Sequence, residues 1–175
     1  RSRGLAPLVS TDPSCLQNCD LVILALPLES LLSPQESLIK AIPERAVVTD
    51  VGSVKAEVLA VWRDLHPRFV GSHPMAGTAQ AGVDAGLTGL FCGRPWVSTP
   101  ESSTDASALA VIQQLADRLG SHWLTADAAR HDQAVALISH LPVIVSAALL
   151  RAVGEERDPA VLELARTLAS SGFAD

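Results

Sequence analysis

The chain has 175 residues, 48% of them hydrophobic and 18% charged, with a mean hydropathy of +0.28. That composition has ample apolar surface to bury, which excludes intrinsic disorder and a large multidomain assembly. Thirteen Lys and Arg against nineteen Asp and Glu leave a net charge of −6, and aromatics are only 3% with no Tyr; the sign is wrong for a phosphate-backbone binder and few rings could stack on bases, so nucleic acid is excluded as a partner.

Asp20-Leu-Val-Ile-Leu-Ala-Leu-Pro27 is a continuous apolar run between an acid and a proline, the pattern of a strand buried on both faces of a parallel sheet. Leu31, Leu38 and Ile42 predict a helix over residues 30–41, with the stop signal Pro43 behind it. Ala46-Val-Val-Thr-Asp-Val-Gly52 repeats the strand pattern, and Val58, Leu59 and Trp62 place one apolar face on a helix over 56–65. A third short strand is expected at Arg68-Phe-Val-Gly71. Pro95-Trp-Val-Ser-Thr99 and His122-Trp-Leu-Thr125 read as two more strands, separated by a helix from Asp105 to Leu119 that ends at Gly120.

Alternating strand and helix with short connections argue an α/β class, a parallel sheet covered by helices on both faces. From Asp127 the pattern changes. Ala134, Leu137, Ile138, Leu141, Ile144, Val145 and Ala148 keep helical spacing, with Thr125 or Asp127 available as N-cap and Pro142 placed to kink the helix. A further helix is expected from Pro159 to Ser170. Residues 1–125 thus form one domain, and 126–175 begin an all-α one.

The longest apolar runs, Leu21 to Leu26 and Leu141 to Leu150, are too short, or too interrupted by Pro142 and Ser146, for the roughly 20 residues a bilayer demands. No membrane association is expected. Cys15, Cys19 and Cys92 are odd in number and form no CxxC pair, so they read as packed free thiols in a reducing, cytoplasmic compartment. His66, His73, His122, His131 and His140 show no ligand-like spacing, and no metal is expected. No Gly-x-Ser-x-Gly elbow is present.

In open parallel sheets ligands bind beyond the carboxyl ends of the strands. The residues there are Leu26-Pro27, then Asp50 to Lys55, then Gly71-Ser-His-Pro74. Pro74 pushes His73 toward extended backbone, a suitable place for a group that takes a proton from a substrate hydroxyl near neutral pH. Ser53 could hydrogen-bond the same oxygen; a structural histidine that ties the loop together is the competing reading. Lys55 reads as solvated or paired with Glu57 or another carboxylate. His131, Val135 and Ser139 lie four apart on one helix face, with His140 about 100° away. His131 with Asp132, and Ser139 with His140, could line a pocket or be merely hydrogen-bonded. The glycines between Gly71 and Gly93 suggest an ordered loop that approaches a ligand.

Thr49-Asp-Val-Gly-Ser-Val-Lys55, Gly71-Ser-His-Pro-Met-Ala-Gly-Thr78, His131-Asp-Gln-Ala-Val-Ala136, Ser139-His-Leu-Pro142 and Ala169-Ser-Ser-Gly-Phe-Ala-Asp175 together resemble the prephenate and arogenate dehydrogenases of tyrosine biosynthesis. The resemblance implies a partial Rossmann-type sheet domain followed by the start of a helical substrate and dimerisation domain. It also implies a nicotinamide-dependent oxidative decarboxylation of a cyclohexadienol. By the same resemblance His73 is the base for the ring hydroxyl and Ser53 orients that hydroxyl. Ser139, His140 and Thr78 then lie near the substrate, and Leu26, Pro27, Val51, Gly52 and Ser53 along the cofactor.

The chain departs from the family pattern at several points. It contains no Gly-x-Gly-x-x-Gly, the fingerprint expected after the first strand. Arg1-Ser-Arg-Gly-Leu5 resembles the end of the helix after the second strand of such a fold, past the residues that select NAD or NADP, and the chain stops before the family's substrate-carboxylate arginine. An interior fragment, inactive by itself and homodimeric when whole, is therefore expected. Val143 stands where prephenate-preferring members have histidine and Ala79 where some have Glu; both resemble the arogenate branch, which commonly uses NADP rather than NAD. A different Rossmann hydroxy-acid dehydrogenase, or a non-catalytic remnant or ligand-binding regulatory module, are the alternatives.

Overall fold

A computed structural model of the chain describes residues 6–78, 82 and 86–168. The segments 1–5 and 169–175 and the position Ala79, singled out above, lie outside the described residues. Two compact units are present, Arg1–Asp132 and Gln133–Asp175.

In the first unit β1 (Leu21–Leu24), β2 (Val47–Asp50) and β3 (Phe69–Val70) form a parallel sheet in that order. The strands β4 (Ser72–Pro74), β5 (Pro95–Ser98) and β6 (His122–Thr125) form a second. Helices α1 (Leu28–Leu32), α2 (Glu36–Ala41), α3 (Ala56–Leu65) and α4 (Ala106–Arg118) connect them. Alternation along β2 sends Val48 to one face and Val47 to the other. On the first face Val48 packs with Val22, Leu24, Leu31, Val58, Leu59, Trp62 and Phe69. On the second, Val47 packs with Val70, Trp96, Ala108, Ile112 and Ala116. This is the helix-covered α/β architecture expected of a Rossmann-type sheet. Each large aliphatic side chain so buried contributes about 1.5–3 kcal/mol. Trp62 also donates from Nε1 to Leu31 O at 2.9 Å and stacks on Phe69.

Helix α3 has the expected bounds and buried face. Helix α4 is N-capped by Asp105, which accepts from Ala108 N–H. It closes at Gly120, whose φ of +74° suits only a residue without a Cβ.

Five sequence expectations are corrected. The single helix over 30–41 is two, α1 and α2, because Pro34 lacks an N–H and disfavours helical backbone at Ser33. Strand β1 is buried on one face only, with Ile23 46% exposed; α4 covers the second face as far as Leu21. The third strand breaks at Gly71 into β3 and β4, and β4 pairs antiparallel with β5. A parallel return demands a crossover, usually a helix, and the described residues between Met75 and Arg94 form only turns. Cys15 and Cys92 are exposed rather than packed; Cys15 sits in a 3-10 turn, Pro13–Leu16, where residues four apart do not share a face. Cys19 does pack against the core.

The fifth correction concerns the long helix. Helix α5 (Ala128–Val135) passes into a π-helical turn (Ala136–His140) and then α6 (Leu141–Gly154). Leu141 N–H bonds to Ala136 O, five residues back. The wider turn lies just ahead of Pro142, which has no N–H to give and whose ring crowds the carbonyl four residues back. His131 and Val135 are buried, whereas the residues of the π-helical turn, Ser139 and His140 among them, are exposed. Asp127 is the cap, accepting from Arg130 N–H at 3.0 Å.

The second unit continues with α7 (Pro159–Leu168), whose first turn is capped by Asp158 accepting from Ala160 N–H. Val143, Ile144, Leu149 and Leu150 on α6 are each more than half exposed. Taken as a whole, the helical stretch Ala128–Gly154 is long and apolar enough to cross a membrane by length and composition. Separate apolar runs understate this, because Pro142 and Ser146 average out over a helix.

Candidate active site

Asp50 ends β2 inside the sheet, where a carboxylate is costly without partners. Its side chain pairs with the Lys55 ammonium, and both are fully buried. Asp50 Oδ2 also accepts from Gly52 N–H at 3.0 Å, and Oδ1 from Ser72 N–H at 3.2 Å. Lys55 Nζ donates to Ser72 O at 2.9 Å. Burial pushes the Asp50 carboxyl up and the Lys55 ammonium down, and the charge of each opposes the shift of the other. The pair therefore holds both backbone groups of Ser72. The Ser72 hydroxyl is held too, with Thr49 Oγ1 at 2.9 Å and Asp50 O at 3.1 Å.

His73 is the next residue. Its backbone is in β4, opposite Val97, with Pro74 behind it. Its ring meets His131 edge to face, with centroids 5.2 Å apart, and His73 Nδ1 lies 3.0 Å from His131 Nε2. His131 Nδ1 in turn lies 2.8 Å from Asp132 Oδ1. Asp132 accepts the N–H groups of Lys55 and Ala56, each at 2.8 Å, and so caps the start of α3 from 76 and 77 residues away. Burial raises the Asp132 carboxyl, but the Ala56 N–H, His131 and the Lys55 N–H together outweigh it and hold the group below its ordinary 3.8.

Ser53 is exposed in the turn between β2 and α3, and Val51 and Gly52 beside it are half-buried. Leu26 and Pro27 are exposed after β1. Leu26, Pro27, Val51 and Gly52 thus follow two adjacent parallel strands and are largely apolar, a lining compatible with a flat heteroaromatic ring. Thr78 is exposed at the end of the segment after β4. Ser139 and His140 are exposed in the π-helical turn of the second unit. Among the described residues no three His, Cys, Asp or Glu side chains group as metal ligands.

The family described as prephenate dehydrogenase, nucleotide-binding domain, matches residues 2–125, and its dimerization domain matches residues 127–175. The chain belongs to the prephenate dehydrogenase family. It is 33% identical over 153 residues to a cyclohexadienyl dehydrogenase of Zymomonas mobilis, covering 86% of this chain and 52% of that protein. The crystal structure of Synechocystis arogenate dehydrogenase superposes with a TM-score of 0.79 at 43% identity, over 95% of this chain and 60% of that one. The Aquifex aeolicus prephenate dehydrogenase, in complex with hydroxyphenyl propionate and NAD+, gives a TM-score of 0.85 at 29% identity, over 95% and 58%. The chain spans about half the length of the curated relatives it matches.

In this member of the prephenate dehydrogenase family, spacing alone misjudged one residue and left the partners of two others unread. Lys55 is not solvated; it is 1% exposed and paired with Asp50. The available signal was Asp50 at the end of an apolar strand, which needs a cation nearby when buried. His131 and Asp132 were named together, but their partners lie 58 and 76 residues away, beyond any periodicity.

Proposed function

We propose that this chain is the part of an arogenate dehydrogenase that carries its catalytic base, and that the whole enzyme uses NADP+ to convert arogenate to tyrosine. The observation that carries the reading is His73, whose imidazole is anchored to His131 just past the carboxyl ends of the parallel strands. The 43% identity to a protein called an arogenate dehydrogenase, and Val143 in place of a histidine, support arogenate over prephenate.

The nicotinamide, when bound, supplies the hydride acceptor. Leu26, Pro27, Val51 and Gly52 would flank it, and Ser53 would lie between it and the substrate. His73 takes the proton from the hydroxyl on the ring carbon that loses hydride. Ser53 donates to or accepts from the same oxygen and so orients it. The bond to the ring carboxylate then breaks, its electron pair completes the aromatic ring as carbon dioxide leaves, and the proton returns from His73 to the phenolic oxygen. Ser139, His140 and Thr78 contact the substrate in this reading.

The partner of the second unit is a second copy of the chain. Support comes from the match to a dimerization domain and from Val143, Ile144, Leu149 and Leu150 on α6, each more than half exposed, large apolar side chains of the kind an interface covers. Free thiols at Cys15, Cys19 and Cys92 support a cytoplasmic location.

The test is a panel of arogenate and prephenate with NADP+ and NAD+ on the full-length enzyme. The reading expects arogenate with NADP+ to give the highest kcat/KM. Equal or reversed preference for the substrate, or NAD+ preferred, would overturn that part of it.

A further inference from the structure

We propose that His131 and Asp132 are positioning residues that hold the His73 ring in the tautomer protonated at Nδ1, making Nε2 the nitrogen that receives the substrate's proton. This deepens the reading of His73 as base and rests on it. The argument starts at Asp132, whose two oxygens accept the first N–H groups of α3, the positive end of that helix. Held as a carboxylate there, Asp132 can only accept. His131 Nδ1, 2.8 Å from its Oδ1, must then carry a hydrogen. A neutral His131 therefore presents Nε2 as an acceptor. His73 Nδ1, 3.0 Å away, donates to it, and the acceptor nitrogen of His73 is Nε2. The logic is that of a catalytic carboxylate–histidine pair, in which a buried acid fixes the tautomer of the working imidazole. Here one further imidazole extends the line, and the whole line is anchored on the end of a helix rather than on a loop.

Asp132→Ala gives a direct test, because it removes the acceptor that keeps the hydrogen on His131 Nδ1. Without that acceptor either tautomer of His131 is open, and the hydrogen of His73 is no longer confined to Nδ1. The experiment uses the full-length enzyme labelled with 15N-histidine, with His73 assigned by its missing signal in His73→Asn. In ligand-free wild type, under conditions where the ring is neutral, His73 is expected as the Nδ1–H tautomer. Asp132→Ala is expected to bring in the Nε2–H form and to lower kcat about 10- to 100-fold, the range for outer partners that orient a working histidine, with the KM for the cofactor unchanged. His131→Gln, whose amide can accept from His73 and donate to Asp132, is expected to keep the Nδ1–H tautomer and most of kcat. If Asp132→Ala does not fold, His131→Gln compared with His131→Phe decides by the same two readouts.

Wild-type His73 in the Nε2–H form, or His131→Phe with unchanged tautomer and kcat, would overturn the proposal. If the wild-type enzyme oxidised no cyclohexadienol, the functional reading would fail, while the tautomer readout would still decide the geometry.

Discussion

Asp50 and Lys55 form a fully buried ion pair that also bonds the backbone N–H and C=O of Ser72, the residue before His73. The position of the candidate base is thus held from behind by a charge pair and in front by His131. Removing one partner strands the other. Lys55→Met is expected to destabilise the protein by about 3–5 kcal/mol, the cost of an uncompensated buried charge. The double variant Asp50→Asn/Lys55→Met is expected to lose less. Urea midpoints of the three proteins check this, and a double variant at least as unstable as Lys55→Met would contradict it.

Asp132 links the site to acid stability. Its carboxyl is held below 3.8 in the folded protein, so the unfolded chain binds the proton more readily and acid favours unfolding. The stabilisation is complete above 3.8 and is lost as pH falls through the lower folded value. Asp12 and Asp105, also lowered, act with the same sign, and Asp50, raised, with the opposite one. Asp132→Asn is therefore expected to reduce the drop in urea midpoint between about pH 5 and pH 3 without abolishing it. An unchanged drop would contradict the assignment.

Gly71 separates β3 from β4 where Thr99 crowds the backbone. A Cβ there would sit 2.9 Å from Thr99 Oγ1, closer than contact permits. Gly71→Ala is expected to cost about 1–3 kcal/mol, the usual penalty of overpacking. Adding Thr99→Ala removes the crowding atom and is expected to return part of it. Thermal midpoints of the single and double variants decide, and a Gly71→Ala protein as stable as wild type would contradict the close approach.

Local patterns in the sequence carried β2, α3, α4 and β6, because each joins an apolar period to a stop or cap signal nearby: Asp105 and Gly120 bracket α4, and Val58, Leu59 and Trp62 mark the buried face of α3. The same patterns missed what distant residues decide. Asp50, five residues before Lys55, was the one local sign that Lys55 is buried, and the sign is weak because Ser72 and Asp132 meet Lys55 only once the sheet has formed. The antiparallel pairing of β4 with β5 goes with a connection that holds no helix among its described residues, which strand patterns do not report. At Pro34 and Pro142 the breaker was visible, but whether it splits a helix or widens one turn was not; α1 and α2 separate at the first, and a π-helical turn precedes the second. His73 was legible at a strand end, whereas the line through His131 to Asp132 was not, because adjacent helical residues point about 100° apart.

The measurement that bears most directly on the account is the turnover of the full-length enzyme with His73→Asn, alongside its affinity for the nicotinamide cofactor. Loss of a general base is expected to lower kcat about 10²- to 10⁴-fold while cofactor binding stays as in wild type. A variant that keeps wild-type turnover would remove His73 from the chemistry and contradict the account.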